Sequence, residues 1–164
     1  MLDTVDYGII KLLQEDGRMS YADVARQLST SESTVRRRLG RLVKGGYIKI
    51  TAVPEPRKVG MNAMAFIGLQ VDLSMALTAA QELAQKPEVQ YVAACTGPFD
   101  IMILVTLVSL EDLSLFLNKE IASVRGVRKS ETFVILEIHK RTFGFLPRPE
   151  KEAKRRRARA RAAK

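Results

Sequence analysis

The stretch Ser31-Glu32-Ser33-Thr34-Val35-Arg36-Arg37-Arg38-Leu39-Gly40-Arg41-Leu42-Val43-Lys44 sets four arginines beside three small hydroxyl side chains. A guanidinium fork matches phosphate oxygens and the O6/N7 edge of guanine, and hydroxyls can meet either. Val35, Leu39 and Leu42 recur at i, i+4, i+7, so the spacing predicts a helix with one apolar stripe. Ser33, Thr34, Arg37 and Arg41 then fall on the opposite side, flanked by Arg36 and Arg38. Ser31 stands at the N-cap position and Gly45-Gly46 supply the stop. On this reading Ser33, Thr34, Arg37 and Arg41 approach base edges. Arg36 and Arg38 clasp phosphates, and amides near Ser31 meet a phosphate at the helix N-terminus. The blander alternative is a solvated surface helix. Any one arginine can also be taken up by an internal ion pair, Arg38 with Asp6 or Glu32 for example.

Two further helices must position this one. Val5, Ile9, Leu12 and Leu13 share a stripe after a cap at Asp3 or Thr4, and that helix ends near Asp16-Gly17. Ser20-Tyr21-Ala22-Asp23 resembles a capping box with Asp in place of Glu, opening a short helix with Val24, Ala25 and Leu28 inward. Ser29-Thr30-Ser31 is the turn to the arginine helix. Helix, short turn, basic helix is the helix-turn-helix arrangement. Tyr47 to Val53 is rich in β-branched residues and reads as a strand serving as wing or connecting arm. Pro54-Glu55-Pro56 closes the domain. A protein-interaction module is the alternative, but the polar face of the third helix offers nothing apolar for a partner to bury.

The net charge of +9 is confined to one end of the 164 residues: from Lys140 onward there are eleven basic and two acidic residues, and the rest is balanced. The tail, with Lys154, Arg155, Arg156, Arg157, Arg159 and Arg161, has no apolar residue after Pro149 except alanine. It cannot bury a core and is expected to be disordered alone, acting as a sequence-blind phosphate clamp or, alternatively, as a solubilising tail. One cysteine, Cys95, excludes an internal disulfide framework and is expected to be a small core residue. No apolar run is long enough to span a bilayer, no signal peptide is read, and a cytoplasmic location is expected. His139 has no neighbouring ligand cluster, so no metal and no cofactor are expected.

Residues 63–139 read as strand, helix, strand, strand, helix, strand. The strands are Ala63–Asp72, Val89–Thr96, Ile101–Val108 and Val127–Ile138. Ala76, Ala80, Leu83 and Ala84 line the first helix, and Leu113, Phe116, Leu117 and Ile121 the second. The fold class is α+β, a βαββαβ ferredoxin-like unit with both helices on one face of an antiparallel sheet. The strands are apolar on both faces, so the uncovered face needs a partner, and a second copy of the chain is the simplest. Barrel-like closure is the alternative; four strands are too few for it.

Leu2-Asp3-Thr4-Val5-Asp6 with Ile10, Leu13 to Ser20, Ser31 to Val35 with Arg38, Arg41 and Leu42, and Gly46-Tyr47-Ile48 resemble the Lrp/AsnC (feast/famine) transcriptional regulators. Gly97-Pro98-Phe99-Asp100 is similar to that family's Gly-x-aromatic-Asp turn. The resemblance implies a winged helix-turn-helix DNA-binding domain over 1–53 and a linker over 54–62. It also implies a RAM-type ligand-sensing and oligomerisation domain over 63–146, followed here by the basic tail over 147–164. Its implied partners are double-stranded DNA, a second copy of the chain with octamers as a larger assembly, and an amino-acid effector. Thr96, Gly97, Phe99 and Asp100 would receive that effector near the turn, between dimers, with the Asp100 carboxylate suited to an ammonium group. The expected function is a sequence-specific regulator and not an enzyme; the alternative is an effector-independent, nucleoid-compacting DNA-binding protein. Siroheme decarboxylases resemble the same two-domain fold, but they call for no basic third helix and would need an inward His/Arg pair. Two features depart from the family pattern: Thr30 stands where an apolar turn residue is usual, and the chain continues past residue 148.

Overall fold

The computed structural model describes residues 2–142. The chain divides into two compact units, one holding the first 52 residues and the other Val53–Lys140. Each has its own core.

In the first unit, α1 spans Thr4–Glu15, α2 Tyr21–Gln27 and α3 Glu32–Lys44. All three start on side-chain caps. Asp3 accepts from the amides of Val5 and Asp6, and Asp6 accepts in return from the Asp3 amide. Ser20 accepts from Asp23 N–H, and Ser31 from Thr34 N–H. Each such cap contributes about 1 kcal/mol. Ile9, Ile10, Leu12, Val24, Ala25, Val35, Leu39 and Leu42 form the core, which is what the helical stripes require. Helix α3 ends as the Leu42 carbonyl accepts from Tyr47 N–H, across Gly46 at φ +68°.

The strand expected over Tyr47–Val53 is not formed: residues 48–55 have no regular structure. A β-branched run needs a partner ladder, and no described strand pairs with it. Ile50 and Val53 stay exposed, and a short 3₁₀ turn, Pro56–Val59, follows.

The second unit is one antiparallel sheet of β1 (Ala63–Val71), β2 (Val89–Ala94), β3 (Ile101–Leu107) and β4 (Val127–Val134), in the order β2-β3-β1-β4. Helix α4 is Ala76–Leu83, and α5, Leu110–Leu115, runs on into a wide π turn, Phe116–Ile121. Ala65, Ile67, Leu69, Ile103 and Val105 on one sheet face pack with Ala79, Leu83, Leu113, Phe116 and Ile121. Ala79, not Ala76, is the fully buried alanine of α4. Strand β4 stops at Val134, short of the expected Ile138, although Ile135 N–H still donates to the Met64 carbonyl.

The opposite face carries a row across all four strands. Tyr91 pairs with Leu104, Leu104 with Phe66 and Phe66 with Phe133. Phe66, Tyr91 and Phe133 remain 42%, 58% and 48% exposed, so this row is left largely open.

Candidate nucleic-acid interface

The electrostatics of α3 start from a carboxylate on α1. Asp6 is the third residue of its helix, fixed there by the reciprocal cap with Asp3, and it is fully buried. Such a charge must be paired. Arg38 supplies Nη1 to Asp6 Oδ1 at 3.1 Å and to Asp3 Oδ2 at 2.6 Å. Arg41 supplies Nη2 to Asp6 Oδ2 at 2.5 Å. Burial pushes the Asp6 carboxyl upward, but the Asp3 amide and the guanidiniums of Arg41 and Arg38 outweigh it and hold the group below 3.8. Asp3 also lies below 3.8, chiefly through its hydrogen bond from Arg38.

These two shifts set an acid limit. As pH falls, the unfolded chain takes up protons at these positions before the folded one does. Their stabilisation is therefore complete above the unfolded value of 3.8 and is lost as pH drops through the lower folded values. The melting temperature of the first unit should fall progressively below about pH 4. Asp6→Asn should flatten that fall, and a wild-type curve level down to pH 3 would contradict the assignment.

The remaining residues of the arginine helix stay outward. Ser31 Oγ is 3.0 Å from Ser33 Oγ and 2.8 Å from Thr34 Oγ1, a hydroxyl cluster at the helix start. Arg36 bonds Glu32 and lies over the Tyr21 ring, 5.2 Å from its centroid. Arg37 is exposed and, among the described residues, makes no ion pair or hydrogen bond. Arg38 makes the internal ion pair with Asp6 that the sequence allowed: only 21% of its side chain is exposed, because the buried acid draws it inward. Arg41 is shared, tied to Asp6 yet 52% exposed. Asp6 is the residue whose importance the helix pattern understated. Its signal was an acid interrupting the apolar series Leu2, Val5 and Ile9.

In the second unit Gly97, at φ +113°, shapes the β2–β3 turn. Phe99 covers Gly68 of β1, where a Cβ would come within 2.6 Å of the ring, and meets Phe133 edge to face at 6.1 Å. Asp100 Oδ2 accepts from Val71 N–H at 2.8 Å, where the β1–β4 register shifts. Thr96 is exposed. The turn is thus tied to β1 through Phe99 and Asp100. A cavity of about 410 Å³ lies near the far end of β3, between Met61, Leu107, Val108 and Phe116. Thr96, Gly97, Phe99 and Asp100 do not line it. Cys95 is exposed, beyond the end of β2, and its Sγ donates to the Phe99 carbonyl; the expectation of a core cysteine fails because the strand ends one residue earlier. His139 is exposed near Glu137, and no metal-binding cluster exists among the described residues. The tail cations Lys154, Arg155, Arg156, Arg157, Arg159 and Arg161 lie outside the described residues. No described helix is long and apolar enough to cross a membrane.

Residues 2–49 match the model of a winged helix-turn-helix DNA-binding domain, and residues 64–145 match that of the Lrp/AsnC ligand-binding domain. The chain belongs to the Lrp/AsnC family. It is a DNA-binding transcriptional regulator with a ligand-binding domain. The chain is 39% identical over 140 residues to the HTH-type transcriptional regulator PH0140 of Pyrococcus horikoshii, covering 85% of this chain and 89% of that one. It is 34% identical over 143 residues to FL11 of Pyrococcus furiosus, covering 87% and 94%. Among solved Lrp/AsnC-type structures, AsnC of E. coli superposes with a TM-score of 0.81 at 25% identity, over 90% of this chain and 99% of that one. The Neisseria meningitidis regulator NMB0573, solved with L-Met, gives 0.81 at 26%, over 88% and 96%.

Proposed function

We propose that the protein is a homodimeric, sequence-specific regulator whose α3 lies in the major groove. The observation that carries this reading is the outward set on α3: Ser33, Thr34, Arg37 and the free half of Arg41 share one exposed side, above an apolar stripe spent on the core. Arg36 is close enough to that side to meet a phosphate. The domain limits are 1–53 for the DNA-binding module and 63–146 for the ligand-binding domain; residues 54–62, read as the linker, fall within the compact unit Val53–Lys140. Two copies joined through the bare sheet faces present two such helices to a roughly palindromic site. Arg37→Ala should weaken binding to a selected site by about tenfold or more, the scale of one lost base contact. Footprinting that shows uniform coating instead of discrete sites would favour the architectural reading.

The effector is an amino acid or a related small molecule, received near Thr96, Gly97, Phe99 and Asp100 at an interface between copies. The L-Met complex of NMB0573 supports an amino acid in a related ligand-binding domain. Asp100 spends one carboxylate oxygen on Val71 N–H, which leaves the other for an ammonium group. Thermal shift with the twenty amino acids, alongside mass measurement of the oligomer, tests the effector and an octamer together.

The basic tail adds sequence-independent phosphate contacts. Each contact contributes roughly 0.9 to the slope of log K against log salt. Deleting residues 150–164 should therefore flatten the slope without changing the preferred sequence. An unchanged slope would leave the tail as a solubilising extension.

A further inference from the structure

We propose that Asp6 is a specificity-determining residue, its buried carboxylate acting as a buttress that presents the open edge of Arg41 to a guanine in a fixed plane. The inference rests on the reading that α3 enters the groove, and adds to it a residue from another helix that touches no DNA.

Asp6 is suited to the task because it cannot move. The reciprocal cap ties it at both ends: its Oδ2 accepts from Asp3 N–H at 3.0 Å, and its own N–H donates to Asp3 Oδ1 at 3.0 Å. It has no exposed surface. The two guanidiniums it receives are held differently. Arg38 spends Nη1 on both Asp3 and Asp6 and is largely covered, so it serves as a strut between α1 and α3. Arg41 gives Asp6 only Nη2 and leaves half of its side chain in solvent. Nη2 has a second hydrogen, and neither Nη1 nor Nε of Arg41 has a hydrogen-bond partner among the described residues.

That leaves two parallel N–H groups unspent on a side chain 52% exposed, the pattern that reads O6 and N7 of guanine. A phosphate would accept any orientation of the cation, whereas base reading needs the plane of the fork held. An arginine with one nitrogen on an immobile acid has its orientation narrowed before DNA arrives, so less freedom is lost on binding. Arg37, which has no partner among the described residues, must be ordered by the DNA itself.

The test uses the full chain and a site selected from random DNA by the wild-type protein. Wild type, Asp6→Asn, Arg41→Lys and Arg37→Ala are compared for affinity to that site, affinity to unrelated duplex, and base preference at each position. Arg41→Lys keeps the charge, loses the fork and sits at an exposed position, so it reports even where Asp6→Asn fails to fold. Arg41→Lys and Asp6→Asn should relax preference at the same base pair and cut the ratio of selected-site to unrelated-duplex affinity about 5- to 150-fold, the range for one bidentate pair. Asp6→Asn should bind unrelated duplex at least as tightly as wild type, having lost a negative charge. If either variant instead weakens all sequences equally and keeps the base preference, Asp6 is only a strut and the proposal is overturned. If Arg37→Ala changes selection while Arg41→Lys does not, the buttress fails and the groove reading survives. If none of the three changes selection, both fail.

Discussion

Replacing Phe66 with glutamate should convert the protein to folded monomers and reduce its affinity for a two-half-site operator by two orders of magnitude or more. Phe66 stands mid-sheet in the row Tyr91, Leu104, Phe66, Phe133, on the face opposite the two helices. Its ring is 42% exposed, so glutamate there meets water in one protomer and needs no core rearrangement. In a stacked pair of sheets the same carboxylate would be desolvated among aromatic rings, which several kcal/mol of unpaired charge would oppose. The loss on DNA follows from tethering: joined modules bind the second half-site at high effective concentration, an advantage of about 10²–10⁴ that separate monomers lack. Light scattering reports the mass and circular dichroism the fold. A Phe66→Glu dimer with unchanged operator affinity would remove the sheet face from the assembly.

The second large effect is expected at Leu42. Its side chain is fully buried at the junction of all three N-terminal helices, in a core built from few large residues. Leu42→Ala should cost about 2–5 kcal/mol. A module near fifty residues has little stability in reserve, so the first unit should melt below physiological temperature and DNA binding should vanish. The second unit draws on a separate cluster centred on Ile67, Ile103 and Val105. Calorimetry should therefore show its transition unmoved while the first one falls. One cooperative transition shifting as a whole would mean that the two cores do not melt independently.

What the sequence made legible depended on which rule governed each segment. Helices α1, α2 and α3 were readable because caps at Asp3, Ser20 and Ser31 coincide with the start of an apolar stripe. The order of the second unit was readable because strand and helix periods alternate cleanly between Ala63 and Val134. Tyr47 to Val53 misled because β-branched composition measures fitness for a ladder, and only a partner strand makes one. Arginine reach was only partly legible, with the Arg38–Asp6 pair open as an alternative and the Arg41–Asp6 pair not foreseen. A helical wheel places Arg38 and Arg41 by their Cα positions, whereas their long stems follow the nearest unpaired charge, which is Asp6 of another helix. At the Gly97 turn, the sequence signalled a glycine and an acid. It could not show that Phe99 lies over Gly68, or that Asp100 already caps Val71, because both depend on β1 running alongside.

The order β2-β3-β1-β4 leaves the outer rims of β2 and β4 without neighbours among the described residues. Stacking two sheets face to face hides aromatic surface but closes none of these rims, so every assembled pair still offers four backbone edges to any stray strand. Cationic guards stand along one of them: Arg128 bridges to Asp72 and Lys129 to Glu131 on β4. The other is only six residues long and is broken by a register shift between Val89 and Tyr91. Short, irregular or charged rims resist edge-to-edge growth. On the proposed pairing through the bare sheet face, such rims keep assembled copies from polymerising through their margins into fibres.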